Sequence, residues 1–316
     1  MIHCRLFAIG LTVMAVFAGS CGRPGLQPGE GYVNVQGGRV WYRVVGGGTR
    51  TPLLLVHGGP GAPSYYLNPL AKLGDERPVV FYDQLGAGRA DKPTDITLWR
   101  VERFIQELSE LRRALGLEQV HIFGHSWGTM LAADYMLTKP PGVRSLILAS
   151  PALSIRRWLE DAETLKRTLP QSLQDEIARH ESAGTFDSPE YQRAMMEYYK
   201  RYLCRRDPWP DDVNKTLGEL GQSVYTTMWG PSEFTATGSL RTYDRAVQLK
   251  TLNLPVLFTA GRYDEATPAT TAYYQSLIPG AKLKIFENSA HLTMQDEPEA
   301  YVQAVRNFLR EVESHR

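Results

Sequence analysis

Residues 121–132, HIFGHSWGTMLA, constrain the fold more than any other stretch. An apolar run stops at a serine held between two glycines, and small residues follow at once. Gly124, His125, Ser126, Trp127 and Gly128 fit G-x-S-x-G, in which a buried strand ends, the chain turns sharply and a helix begins. The serine sits at the tip of a strained turn, and only small neighbours let backbone and helix approach that closely. Such a turn presents a hydroxyl at the end of a sheet, where a nucleophile could stand. The same five residues also suit a plain strand-to-helix turn, so the rest of the chain has to decide between the two.

Other runs repeat the form. PLLLVHGG (52–59), PVVFYDQLG (78–86), QVHIFGHS (119–126), VRSLILAS (143–150), PVLFTAG (255–261) and AKLKIF (281–286) are short and almost wholly apolar. Each reads as a strand buried on both faces. GYVNVQ and RVWYRVVG, on either side of Gly37 and Gly38, alternate as a β-hairpin does. Helical spacing lies between several runs: at 97–115, with Phe104, Leu108, Leu111 and Leu115 on one face, after Ser126, and at 297–312, with Tyr301, Val305 and Phe308 inward. Strands alternating with helices predict an α/β fold, a mostly parallel sheet covered on both sides. Residues 151–246 break the alternation with helical spacing and many charges. They read as an inserted helical cap over the C-terminal strand ends, where open α/β sheets bind ligands. The core is then 31–150 and 247–316, preceded by a linker at 22–30.

The first 21 residues differ in kind. Arg5 precedes LFAIGLTVMAVFAG, an apolar run too short for a comfortable transmembrane span. It ends at Ala18, Gly19, Ser20 and Cys21, which resemble a bacterial lipobox. The reading is a signal peptide over 1–21 with a lipid anchor on Cys21, hence an exported protein, periplasmic or membrane-anchored, with secretion as the alternative. An ordinary signal peptide cut nearby and an uncleaved anchor are the rivals. Without the lipid, a Cys21–Cys204 bridge would fit an oxidising compartment. Otherwise Cys204 reads as a small apolar residue. A formal net charge of +1, with no basic stripe, gives nothing for nucleic acid to bind. Oligomeric state is not encoded in any pattern visible here.

A serine hydroxyl is a weak nucleophile that needs a general base, and the base needs an orienting acid. After a serine elbow of this type the chain order is acid, then histidine. Asp264, in FTAGRYDEATP, lies just past one apolar run, and His291, in FENSAHLTMQDEP, just past the next. Both would project at the same sheet edge as Ser126. The adjacent Glu265 competes for the role of acid. His121, on an apolar run, reads as core, and His125 as support for the turn. Acyl transfer also needs N–H donors for an oxyanion. One is the amide of Trp127, after the nucleophile; the other should come from the loop His57-Gly58-Gly59-Pro60-Gly61. Tyrosines at 191–202, with Tyr65 and Tyr66, could line a pocket or serve as packing.

HGGPG, FYDQLGAGRADKP, GHSWGTMLA, GRYDEATP and SAHLTMQDEP, in this order, resemble the proline iminopeptidase family of α/β-hydrolases. The resemblance is nearest the branch of the tricorn-interacting aminopeptidase and amino-acid amidases. It extends over nearly everything after residue 30, including MWGPSEFTATGSL in the insertion. It implies an α/β-hydrolase fold and cleavage of the bond after an unblocked N-terminal residue of a short peptide, through an acyl-enzyme, with no metal or cofactor. Position by position it implies nucleophile Ser126, acid Asp264, base His291 and oxyanion donors Gly59 and Trp127. It also implies that Glu233 and Glu265 bind the substrate amine. Two carboxylates aimed at a cation would discriminate against acylated N-termini.

Two positions depart from the family pattern. The run Gly86-Ala87-Gly88-Arg89-Ala90 stands where a serine is frequent, which bears on loop support. GHSWGT stands where strict proline-specific members read GGSWGS, which widens the expected first residue to proline or small and hydrophobic side chains. An amino-acid amidase, esterase or lactonase on the same scaffold is the alternative, and a non-catalytic protein of this fold is the third reading. Ser126 excludes the chemistry that needs a carboxylate at the elbow.

Overall fold

The computed structural model describes residues 26–314. The expected signal peptide, its lipidation site Cys21 and the first part of the 22–30 linker lie outside the described residues. Eight strands form one sheet: β1 (Gly29–Val35), β2 (Gly38–Val45), β3 (Leu53–Val56), β4 (Val79–Asp83), β5 (Val120–His125), β6 (Val143–Ala149), β7 (Val256–Gly261) and β8 (Lys282–Phe286). Their spatial order is β1-β2-β4-β3-β5-β6-β7-β8. The β1–β2 hairpin turns at Gln36-Gly37, with Val35 opposite Gly38. Gly37 takes a φ of +99°, which a side chain at that position would resist. β2 runs antiparallel to β4, and every later pairing is parallel.

The apolar runs have a direct physical consequence. Every residue of β3, β4, β5 and β7 is buried, because both faces of the sheet are covered. Successive side chains serve opposite layers: Leu54, Val56 and Ile122 join one core, and Leu53, Leu55 and Phe123 the other. Helix α1 (Val101–Ala114) and α2 (Trp127–Leu137) fill the first layer. α1 buries Phe104, Leu108 and Leu111 as its spacing predicts. It starts at Val101 and not near 97, because Asp95 caps a separate 3-10 turn, Ile96–Leu98, through the Thr97 N–H.

Five helices lie between β6 and β7: α3 (Ile155–Lys166), α4 (Gln171–Ala183), α5 (Pro189–Tyr202), α6 (Asp211–Gly218) and α7 (Gln222–Met228). α4 and α5 share a small core of their own, including Ile177, Tyr191, Met195 and Tyr198. A 3-10 run, Ser64–Asp75, had no counterpart in the sequence reading; α6 and the C-terminal helix pack on it. The second layer is closed by α9 (Thr293–Asp296) and α10 (Pro298–Ser314), after α8 (Pro268–Ser276) on the first. Cys204 is buried in the second layer with its thiol on Asp296 Oδ1 at 3.4 Å, and burial pushes that thiol up to about 12. Among the described residues no helix is long and apolar enough to cross a membrane.

Candidate active site

The parallel strands all end at one sheet edge, and the loops leaving β3, β5, β7 and β8 carry the residues of interest. Ser126 follows β5 directly and has φ 53° and ψ −122°. Its amide donates to Ala149 O at 3.0 Å, so the strained residue is tied to the neighbouring strand. The flanking glycines are required by space. A Cβ at Gly128 would lie 2.2 Å from Val56 O, and one at Gly124 would lie 2.4 Å from Gly128 O. The helix therefore starts against the β3 backbone, and Trp127 N–H is a free first-turn donor of α2 by position.

Gln84 ties this helix to the loop after β3. It accepts from Trp127 Nε1 at 2.9 Å, donates Nε2–H to His57 O at 3.0 Å, and donates its amide to His57 Nε2 at 2.9 Å. The next amide, Gly58 N–H, donates to Tyr66 Oη at 2.8 Å. Gly59 follows with φ +107°, a conformation suited to glycine, and lines the cavity above Ser126. The Gly86–Ala90 run carries an ion pair to the end of β4. Asp83 accepts from Arg89 Nε and from Ser64 Oγ, both at 2.7 Å, beneath the Trp41 ring.

His291 and Asp264 meet across 27 residues of chain, with Nδ1 and Oδ1 2.7 Å apart. Asp264 also accepts from Ala266 N–H at 2.8 Å and Gly261 N–H at 3.2 Å, which fixes its carboxylate. With Nδ1 donating to a carboxylate, Nε2 of His291 is left as the basic nitrogen. Glu265 stands on that other side, its Oε1 3.8 Å from Nε2. Of the two acids, Asp264 is the one in hydrogen-bond contact with the ring, at Nδ1, and Glu265 lies farther off, beside Nε2, and lines the cavity.

A chain of hydrogen bonds holds His291 from behind. Tyr66 Oη, having accepted from Gly58, donates to His125 Nδ1 at 2.9 Å. His125 Nε2–H then donates to His291 O at 3.0 Å, and Ser150 Oγ donates to the same carbonyl at 2.9 Å. Burial holds the His125 imidazole well below its ordinary range, so it stays neutral, as this pattern requires. His125 does more than support the turn. Sequence reasoning missed Tyr66 in this role, and it missed Trp158 of α3, whose indole packs edge-on to His291 with centroids 5.7 Å apart.

Ser126, His291, Gly59, Glu233 and Glu265 line one cavity of about 640 Å³ between the sheet edge and the inserted helices. Tyr191, Met195, Tyr199 and Tyr225 form much of its wall, which answers the question left by the tyrosine-rich stretch. Glu233 Oε1 accepts from Tyr225 Oη at 2.7 Å, while part of its side chain faces the cavity. Glu265 is 3% exposed, and its Oε2 has no hydrogen-bond partner. Burial pushes the Glu265 carboxyl well above the usual carboxylate range, and the charges of Glu233 and Asp264 add to the shift. Burial raises Glu233 too, opposed by the Tyr225 hydroxyl and His291. Two carboxyl groups whose ionisation is opposed, one with an unpartnered oxygen, thus share the cavity with Ser126 and His291.

The family model described as alpha/beta hydrolase fold matches residues 51–298. A proline iminopeptidase of Heyndrickxia coagulans is 46% identical over 287 residues, covering 90% of this chain and 99% of its own length. The crystal structure of VinJ superposes with a TM-score of 0.87 at 36% identity, over 90% of this chain and all of that one. The crystal structure of a proline iminopeptidase of Mycobacterium smegmatis gives a TM-score of 0.85 at 33% identity, over 91% and 99% of the two chains.

Proposed function

Because the chain belongs to the proline iminopeptidase family of α/β-hydrolases, we propose that it is a serine aminopeptidase. It releases N-terminal proline, or a small or hydrophobic residue, from short peptides through an acyl-enzyme. The observation that carries this reading is the shared cavity. His291, 2.7 Å from Asp264, faces the same space as Ser126, the buried Glu265 and the half-buried Glu233.

The substrate's α-ammonium sits at Glu233 and Glu265, which places the first carbonyl over Ser126. His291 Nε2 takes the Ser126 proton as Oγ attacks. The imidazolium so formed lies between Asp264 and Glu265. Gly59 and Trp127 amides donate to the oxyanion. Collapse of the tetrahedral intermediate breaks the C–N bond, and His291 returns its proton to the leaving amine. Water then repeats the sequence on the ester and frees the amino acid.

Aminoacyl p-nitroanilides with free and with acetylated N-termini, beside p-nitrophenyl esters, test the reading. Turnover of free prolyl, alanyl or leucyl substrates with the acetylated ones inert supports it. Ester cleavage indifferent to a free amine refutes it in favour of an esterase. The apolar run at 6–19 and the small residues before Cys21 support a second element of the proposal, export with a lipid on Cys21. Metabolic labelling with palmitate, expected to disappear in Cys21→Ala, tests that element.

A further inference from the structure

Glu233 lies in the turn between the bridged residues Ser232 and Thr235, outside the sheet and the helices. Its backbone is held by two indoles. Trp229 Nε1–H donates to Ser232 O at 3.0 Å, and Trp158 Nε1–H donates to Glu233 O at 3.3 Å. The two rings pack edge to face with centroids 5.4 Å apart. Trp158 in turn meets the His291 imidazole, with centroids 5.7 Å apart and planes at 79°. Trp158 belongs to α3, the first helix of the insertion, and Trp229 caps the end of α7, its last α-helix.

Both indoles are buried in the first-layer core, and neither lines the cavity. A substrate held there meets neither ring, so whatever they do for the reaction passes through the groups they touch. The Glu233 carboxyl has a separate tie, from Tyr225 Oη at 2.7 Å. Backbone and carboxyl are therefore anchored by different residues. Close-packed interiors transmit small displacements, and a buried aromatic pair moves as a unit. Among the aromatic side chains that pack this way, tryptophan adds an N–H donor that phenylalanine lacks. At position 158 the ring serves His291 and the N–H serves Glu233.

We propose that Trp158 is a positioning residue that holds the amine-binding Glu233 in register with the base His291, its N–H on the Glu233 carbonyl and its ring on the imidazole, with Trp229 as the second half of the clamp. The inference rests on the aminopeptidase reading above. It adds the device that keeps a carboxyl of the insertion at a fixed place relative to a histidine of the core.

Trp158→Phe keeps a ring against Trp229 and His291 and removes the donor to Glu233 O. Its kcat/KM is measured for the best free aminoacyl p-nitroanilide of the panel and for p-nitrophenyl acetate, which has no amine. The anilide value should fall by about five- to tenfold, the usual effect of one neutral hydrogen bond, and at least threefold more than the ester value. In a Glu233→Gln background the same substitution should cost the anilide less than about twofold, because its effect runs through that carboxyl. Trp229→Phe, which removes the Ser232 anchor without touching His291, should reproduce the pattern, and it carries the test if circular dichroism shows Trp158→Phe misfolded. Parallel losses on anilide and ester overturn the proposal, since Trp158 would then be core packing alone. A loss undiminished in Glu233→Gln, or no loss at all, overturns it as well. Cleavage of the acetylated anilide at the rate of the free one by the unsubstituted protein would instead refute the aminopeptidase reading, and the inference would fall with it.

Discussion

Glu265→Gln should act on activity and on stability in opposite directions. The side chain is 3% exposed, Oε2 is unpaired, and Glu233 and Asp264 oppose its ionisation. An ammonium–carboxylate contact contributes about 1.5–3 kcal/mol. Losing it should therefore lower kcat/KM for a free aminoacyl anilide by roughly ten- to a hundredfold, at 1.36 kcal/mol per decade. The same substitution removes a buried carboxylate whose Oε2 has no hydrogen-bond partner and whose Oε1 has only His291 Nε2 at 3.8 Å. Relief of about 1–2 kcal/mol at pH 8 is expected, from the usual penalty of roughly 1–3 kcal/mol for such a group, and it corresponds to a few °C in Tm.

The gain must depend on pH. In the unfolded chain the carboxyl ionises near 4.3. In the folded protein it ionises at higher pH, so the native protein loses stability as pH rises from the first value through the second. Glu265→Gln lacks that loss. Melting curves at pH 4 should nearly coincide, and those at pH 8 should separate with the variant higher. A variant that melts lower at pH 8 and retains full kcat/KM would refute the reasoning, because Glu265 would then be a satisfied structural group.

Ser126→Ala should lower turnover by several orders of magnitude, read in single-turnover assays; a mild effect would point to another nucleophile. Gly128→Ala would put a methyl 2.2 Å from Val56 O. The expected loss is at or beyond the roughly 3 kcal/mol upper end of ordinary overpacking, seen in urea unfolding. Tyr66→Phe removes both the acceptor of Gly58 N–H and the donor to His125. A drop of about tenfold in kcat with little change in KM is expected, and a purely larger KM would argue against positioning.

Much of this site could be read from the sequence because local chemistry demands particular residues there. The glycines at 124 and 128 report a backbone collision, and each wholly apolar run reports a strand covered on two faces. Asp264 lies just beyond such a run; His291 follows β8, where the expectation of burial on both faces fails, because this edge strand exposes Lys282 and Lys284. Glu233 has no periodic signal and was reached only through a resembling segment. The link that Tyr66 makes between Gly58 and His125 could not be found. Tyr66 lies in a 3-10 run with Pro69 inside it, and its partner His125 is 59 residues away. The same holds for Gln84, whose bonds reach 27 residues back and 43 forward. Helix α1 was placed four residues early because Asp95 caps a separate turn, a choice made by one side chain and invisible to spacing.

Asp264 and Glu265 are consecutive, and one sits on His291 Nδ1 while the other faces Nε2. A single peptide bond therefore joins the carboxyl at Nδ1 to the carboxyl at which the proposed function seats the amine. Neither can be shifted without shifting the other. The loop after β7 acts as a ruler, fixing the interval between amine and carbonyl that a substrate must present. One added methylene would put the ammonium or the carbonyl out of register. Comparing alanyl with β-alanyl p-nitroanilide reads that ruler directly, with the β-amino substrate expected to be turned over far more slowly.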